Sequence, residues 1–220
     1  MAPFGKIYTY PQNFRATRAL VVAAINGLEV TEAENFTMGV TNRSPEFLAK
    51  FPHGKVPAFE GADGFTLSEG AAIAIYLARS GPKAAQLLGS DPKTSALIDQ
   101  WVFFAETELV SNVMTAFATT IFKIIPFEEA KFNQVAANTE RAVKRLELHL
   151  QGGKKFLVGD SVTLADVLVA GPLFAGTTFF IDAEMRKDAP NVVAYLQGLA
   201  ALPEFKPLGP LSLCETRTKP

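Results

Sequence analysis

The segment from Lys50 to Ile73 constrains the fold of this chain more than any other. It begins Lys50-Phe-Pro-His-Gly-Lys-Val-Pro-Ala-Phe59, and the pair Val56-Pro57 opens an apolar strand. Proline donates no amide and fixes its own φ, so within a sheet it is confined to a strand entrance or an edge. Asp63-Gly64 is a turn dipeptide, and Phe65 and Leu67 return the chain as the second arm of a hairpin. Ser68-Glu-Gly-Ala-Ala-Ile73 then opens an amphipathic helix, in which Ala72, Ile73, Tyr76 and Leu77 share a face. Such a layout can hold a small extended peptide by its backbone and its charged ends.

The residues upstream extend this unit. Lys6 to Tyr10 is a short strand rich in β-formers, and Pro11-Gln-Asn13 turns the chain. Ala16, Leu20, Ala23 and Ala24 form an apolar stripe at helical spacing that Gly27 ends. Leu28 to Ala33 alternates as a second strand, and Ser44 caps a short helical turn that Pro52 stops. The order β-α-β-α-β-β-α over residues 1–81 predicts a thioredoxin-like α/β domain, a mixed four-stranded sheet with helices on both faces. Ser80-Gly-Pro-Lys83 reads as a linker.

From residue 90 to residue 220 the pattern predicts an all-α helical domain. Trp101, Phe104, Ala105, Glu108 and Leu109 follow helical spacing in a segment over 94–122. A second long helix spans 128–150, with Val143, Leu146 and Leu150 inward, and Gly152-Gly153 stops it. Thr163-Leu-Ala-Asp166 is a capping box: the Thr hydroxyl serves the Asp166 amide, and the Asp carboxylate turns back to the Thr163 amide.

Composition narrows the chemistry. With a net charge of −1 and a pI near 6.2, there is no general attraction for nucleic acid or an anionic membrane. A single cysteine, Cys214, excludes an internal disulfide, a cysteine-based zinc site and a CxxC redox pair. Two histidines, His53 and His149, exclude a His-rich metal site, so no metal is expected. The first residues lack a basic stretch followed by an apolar signal core, and no apolar run is long enough for a membrane span. A soluble, cytoplasmic protein is expected.

Phe156-Leu-Val-Gly-Asp160 before the capping box, together with Lys55, Val56-Pro57, the hairpin and Glu69, resembles the glutathione transferase family. The resemblance implies that glutathione is a co-substrate and that Pro57 follows a cis bond, so that the Val56 backbone pairs with the cysteinyl part of the peptide. It further implies that Glu69 meets the α-amine and the helix amides behind it the α-carboxylate. Lys55 would meet the glycyl carboxylate, and His53 either assists or faces solvent. The family's usual Ser after the acidic residue is Gly70 here, which leaves only a backbone amide and weakens binding. Asn13 falls where serine-type classes carry their Ser, so its amide is the expected catalytic donor to the thiolate. The missing cysteine disfavours a glutathione-dependent reductase.

Several residues keep two readings. Tyr8 and Tyr10 read as strand packing. Arg15 and Arg18 either add positive potential near the thiolate or face solvent. Trp101 reads as core or dimer-facing, and His149 as a surface residue complementing a helix C-terminus. Phe103, Phe104, Phe117 and Phe122 line an acceptor pocket or pack in the core. Cys214 reads as an inert thiol.

Within the family, Tyr8-Thr-Tyr-Pro, Thr41-Asn-Arg-Ser-Pro-Glu-Phe-Leu48, Trp101-Val-Phe-Phe-Ala105 and Leu213-Cys-Glu215 are similar to the transferase-like domain of the elongation factor complex one B gamma subunit, fungal type. Two expectations follow: a dimeric transferase conjugating glutathione to a small electrophile, or a weakly active module that binds the nucleotide-exchange subunit. The sequence stops short of that subunit's Lys-rich linker, which fits either a standalone transferase or part of the larger subunit.

Overall fold

The computed structural model describes residues 3–219. Four strands form one mixed sheet: β1 (Gly5–Tyr8), β2 (Val30–Glu32), β3 (Ala58–Gly61) and β4 (Thr66–Ser68), in the order β2-β1-β3-β4. β1 runs parallel to β2 and antiparallel to β3, and β4 closes the hairpin.

The two-residue period of the strands sorts their side chains between two layers. Ile7 and Phe59, cross-strand partners, face the main core with α1 (Phe14–Ile25) and α3 (Gly70–Arg79). Tyr8 and Ala58, the next pair, face a smaller cluster made by Phe47 and Phe51 of α2 (Pro45–Lys50) and its exit. Helices therefore cover both faces, as the element order predicts. The strands are shorter than expected. β1 ends at Tyr8 because Thr9 and Tyr10 already turn toward the Asn13 cap. The Tyr8 hydroxyl donates to Glu60 at 2.6 Å, so this residue is both packing and an ion-cluster member with Lys6 and Lys50.

Beyond the sheet, the described residues are helical: α4 (Ala84–Leu88), α5 (Pro92–Phe104), α6 (Ser111–Thr120), α7 (Glu129–Leu150), α8 (Leu164–Phe179), α9 (Ala183–Arg186) and α10 (Pro190–Ala200). α5 and α6 form the long segment expected, but a π-helical stretch at Ala105–Val110 joins them. α8 is the axis of the core, buried along almost its entire length. Its capping box forms, and Asp166 does more than cap. It accepts from the amides of Leu157 and Thr163, both at 2.8 Å, and from the Tyr195 hydroxyl at 2.9 Å. Burial pushes this carboxyl up, and the hydrogen bonds oppose that shift.

The tail is docked along α8, with Cys214 and Thr218 amides on the carbonyls of Thr177 and Phe179 and Arg217 paired with Asp182. Burial pushes the Cys214 thiol up, away from the reactive thiolate. No helix among the described residues is long and apolar enough to cross a membrane.

Candidate functional site

Five of the six residues singled out from the sequence meet in one concavity of about 230 Å³. Lys55, Val56, Pro57, Glu69 and Gly70 line it, with Arg15, Arg18, His53, Ser68, Glu106 and Val110. The Val56–Pro57 bond is cis. β3 starts only at Ala58, and the N–H and C=O of Val56 have no backbone partner among the described residues. An unpaired stretch at the entrance of a strand is where an extended peptide can add itself.

Glu69 stands between β4 and α3 with φ +69°, a left-handed conformation that is strained for a residue with a side chain. Its side chain makes no cap, so the first amides of α3 are open to the concavity, with an exposed carboxylate beside them. Gly70 is a packing requirement as well as a missing hydroxyl. A Cβ there would stand 3.3 Å from the Cβ and carbonyl oxygen of Arg15 and from Pro57 Cγ.

Asn13 sits apart from the others. It caps α1: its Oδ1 accepts the Arg15 amide at 3.2 Å, and its Nδ2 donates to Thr9 Oγ1 at 3.1 Å. The side chain is buried and does not line the concavity, although Arg15, two residues on, does. Its second amide hydrogen has no partner among the described residues.

Residues 3–79 match the sequence profile described as Glutathione S-transferase, N-terminal domain, and residues 109–203 that described as Glutathione S-transferase, C-terminal domain. Glutathione S-transferase-like protein LUC7 from Fusarium sp is 44% identical over 218 residues, covering 99% of this chain and 98% of that protein. The chain belongs to the glutathione S-transferase family. Elongation factor 1-gamma from Mus musculus is 38% identical over 219 residues, but there the chain spans only 48% of the relative's length. The GST-like domain of elongation factor 1-gamma from Saccharomyces cerevisiae superposes with a TM-score of 0.82 at 22% identity, covering 100% of this chain and 99% of that one. A theta class glutathione S-transferase from Xanthomonas axonopodis pv. citri, solved with glutathione bound, gives 0.79 at 21%, covering 93% and 96%. At these identities the structural likenesses establish the shared fold.

In this transferase-family chain the residue that joins the two halves is Arg18, which the sequence left between solvent and the site. It is fully buried, at 0% exposure. Its Nη1 donates to Glu106 Oε1 at 2.6 Å and to the Leu168 carbonyl at 3.2 Å. That carbonyl is free because the residue four positions on is Pro172, which has no amide to offer it. The Arg18 stem lies on Gly171, where a Cβ would come within 2.5 Å of both Cγ and Cδ. Nε and Nη2 have no partner among the described residues. Burial pulls the guanidinium below its ordinary pKa, and Glu106 opposes the shift. Glu106 itself rides on the π-helical stretch, a feature that sequence periodicity does not reveal.

On the other side of the first turn of α1 lies an apolar cleft of about 630 Å³. Phe14, Phe117, Phe174, Phe179 and residues Pro207, Leu208, Gly209, Pro210 and Ser212 line it. Phe117 thus fits the pocket expectation, and Phe122 stacks on it at 5.6 Å. Phe103 and Phe104 do not: Phe103 points to solvent and Phe104 packs edge-on against Trp101. Trp101 is core. His149 is not the surface residue expected from its place in α7. Its ring lies 4.6 Å from Trp101, and its Nε2 is 2.8 Å from the Leu157 carbonyl. Burial pulls its pKa down. Among the described residues no group of three or more His, Cys, Asp or Glu is placed to hold a metal ion.

Proposed function

We propose that the concavity binds glutathione and that the chain transfers it to an electrophile. The observation that carries this reading is the unpaired backbone of Val56, set between Lys55 on one side and the open N-terminus of α3 on the other. The peptide backbone adds to Val56 as a short strand. The glycyl carboxylate meets Lys55, the γ-glutamyl carboxylate meets the Gly70 amide, and the ammonium meets Glu69. Charge-assisted hydrogen bonds of this kind are roughly twice as strong as neutral ones.

Conjugation needs the thiolate. A free thiol has a pKa of about 8.5, so only a few per cent is ionised near pH 7. Asn13 is proposed to donate its second amide hydrogen to sulfur, with the first turn of α1 and Arg15 adding positive potential. Sulfur then bonds to the electrophilic carbon. The proton of the thiol leaves to solvent or to the acceptor, and the acceptor's leaving group or π pair takes the displaced electrons. The proposed setting is a cytoplasmic homodimer.

Titration calorimetry with glutathione and turnover of a chlorodinitrobenzene-type acceptor test this directly. Asn13→Ala is expected to lower kcat/KM at least ten-fold while leaving the glutathione Kd within about two-fold, since a lost transition-state contact lowers kcat and not binding. Asn13→Asp, which keeps the cap acceptor of α1 but has no hydrogen to donate to sulfur, separates catalysis from folding. If wild type neither binds glutathione nor turns over the acceptor, the reading fails.

A second reading is favoured by the 38% identity to mouse elongation factor 1-gamma. In it the chain is a scaffold module that binds a nucleotide-exchange subunit, with a weak site. Co-purification with that subunit, together with absent conjugation, would establish it.

A further inference from the structure

A third cavity, larger than the two described above, opens between α5, the last turns of α7 and the loop that follows it. It measures about 830 Å³ and shares no lining residue with either of them. The local sequence explains its charge. Arg145 and His149 stand one turn apart on α7, and Leu97 and Trp101 one turn apart on α5, so each pair shares a face. Gly152 and Gly153 follow α7 with φ of +79° and +76°, a conformation that residues with side chains rarely adopt. This turn brings Lys154 and Lys155 back to line the cavity.

Three cations therefore converge on one space. None of them has a carboxylate within salt-bridge distance among the described residues. Burial pulls the His149 pKa down, and the positive charges of Lys154 and Arg145 add to that shift. Like charges held together repel, and a bound anion relieves the repulsion. Arg145 is also well placed to receive one. Its guanidinium lies 4.8 Å from the centre of the Trp101 ring, whose position is shared with His149 at 4.6 Å. A stacked guanidinium keeps its N–H fork free for an oxyanion. The opposite wall is apolar, with Leu97 exposed and Phe156 half-buried.

We propose that this cavity binds a small organic phosphate. The phosphoryl group meets Arg145, Lys154 and Lys155, and an apolar or aromatic body lies against Leu97 and Phe156. The charge count favours a phosphate monoester. Three cations against one lining carboxylate, Asp160, leave two positive charges. A phosphate monoester carries about −1.5 to −2 at pH 7, whereas a carboxylate supplies half of that. The size also fits, because small-molecule sites measure about 300–1,000 Å³. The whole chain has a net charge of −1, so the positive field is local to the cavity, which argues for a compact anion over a polymer. The inference stands apart from the transferase reading.

The chain has one tryptophan, and it lies on the floor of this cavity beneath Arg145, so its fluorescence reports on this site. Trp101 emission and calorimetry are followed during titration with phenyl phosphate, phenol and inorganic phosphate at constant ionic strength. Phenyl phosphate is expected to bind saturably, one per chain, and to change the emission, while phenol does not bind. Inorganic phosphate should bind about ten-fold more weakly, having no ring to cover the apolar wall. Lys154→Ala/Lys155→Ala should weaken phenyl phosphate at least about ten-fold. Arg145→Lys, which keeps the charge and loses the fork, should weaken it about three-fold or more. Leu97→Ser should weaken phenyl phosphate and leave inorganic phosphate unchanged, a split that a general charge effect does not produce. Lys93→Ala/Lys131→Ala removes the same charge from exposed positions off the lining and should leave the affinity within about two-fold. No saturable heat with phenyl phosphate in wild type overturns the inference. So does an equal loss of affinity in the two double-lysine variants, or equal affinity for phenyl and inorganic phosphate. Heat without a change in Trp101 emission would put the ligand elsewhere on the protein and overturns it as well.

Discussion

Gly171→Ala should destabilise the protein, although helix propensity alone says the opposite. In a helix interior alanine is favoured over glycine by about 1 kcal/mol. At this position the new Cβ stands 2.5 Å from Cγ and from Cδ of Arg18. These are inner atoms of a fully buried side chain whose Nη1 is held at once by Glu106 and Leu168. They cannot retreat without breaking one of these hydrogen bonds. A hydrogen bond to a charged group contributes about 1.5–3 kcal/mol, and overpacking strain adds about 1–3 kcal/mol. With one such bond lost, and set against the propensity gain, the net loss is about 1.5–5 kcal/mol. In an Arg18→Ala background the clash is gone, and the same substitution should stabilise by about 1 kcal/mol. Urea unfolding of the four proteins closes the cycle, and the coupling between the sites is the quantity of interest. If Gly171→Ala shifts the midpoint equally in both backgrounds, or stabilises wild type, Arg18 does not rest on Gly171 and its role in joining the two halves is refuted.

Three further outcomes follow from the same geometry. Glu60, hydrogen-bonded by Lys50 and Tyr8, has its carboxyl lowered from 4.5 to about 2. The folded state favours the charged form, so this stability is present above pH 4.5 and is lost as pH falls toward 2. The acid-induced drop in unfolding midpoint across that window should be visibly smaller in Glu60→Gln. Asp166→Ala leaves the Leu157 and Thr163 amides and the Tyr195 hydroxyl without their acceptor. With each orphaned buried donor costing about 1–3 kcal/mol, the loss should exceed about 3 kcal/mol, and a fall in Tm no larger than that of a surface cap would contradict it. Gly70→Ser restores a hydroxyl at the price of three contacts at 3.3 Å. Calorimetry should show glutathione binding tighter by about three- to ten-fold if the hydroxyl reaches the γ-glutamyl carboxylate. Unchanged affinity in a variant of unchanged Tm would mean that no γ-glutamyl carboxylate sits within reach of the new hydroxyl.

The parts of this chain that were legible are those whose physics is local. Asp63-Gly64 announces its hairpin, Ser44 its helix, and Thr163 with Asp166 a box closed within one turn. The residues of the concavity were legible for the same reason: Lys55, Val56, Pro57, Glu69 and Gly70 all lie in one hairpin and its flanks. Asn13 is a different case. Its position at the start of α1 could be counted from Gly27, but its burial and its bond to Thr9 could not. The π-helical stretch at Ala105–Val110 was invisible because six residues are too few for its period to separate from that of an α-helix.

Arg18 marks the limit most clearly. Its own neighbours, Thr17 and Ala19, say nothing about burial, and the carbonyl it serves lies 150 positions away. One signal was nevertheless present. Gly171-Pro172 interrupts the most apolar helix of the chain, and a proline inside a helix deprives the carbonyl four residues earlier of its donor. In a buried helix that carbonyl must be served from outside, and the glycine beside it leaves room for a thick side chain to approach. A buried Gly-Pro in a core helix therefore demands a long donor from another element. Among the cations of α1, whose helix packs on α8, Arg18 is the one that reaches it, and in doing so it places Glu106 on the wall of the site.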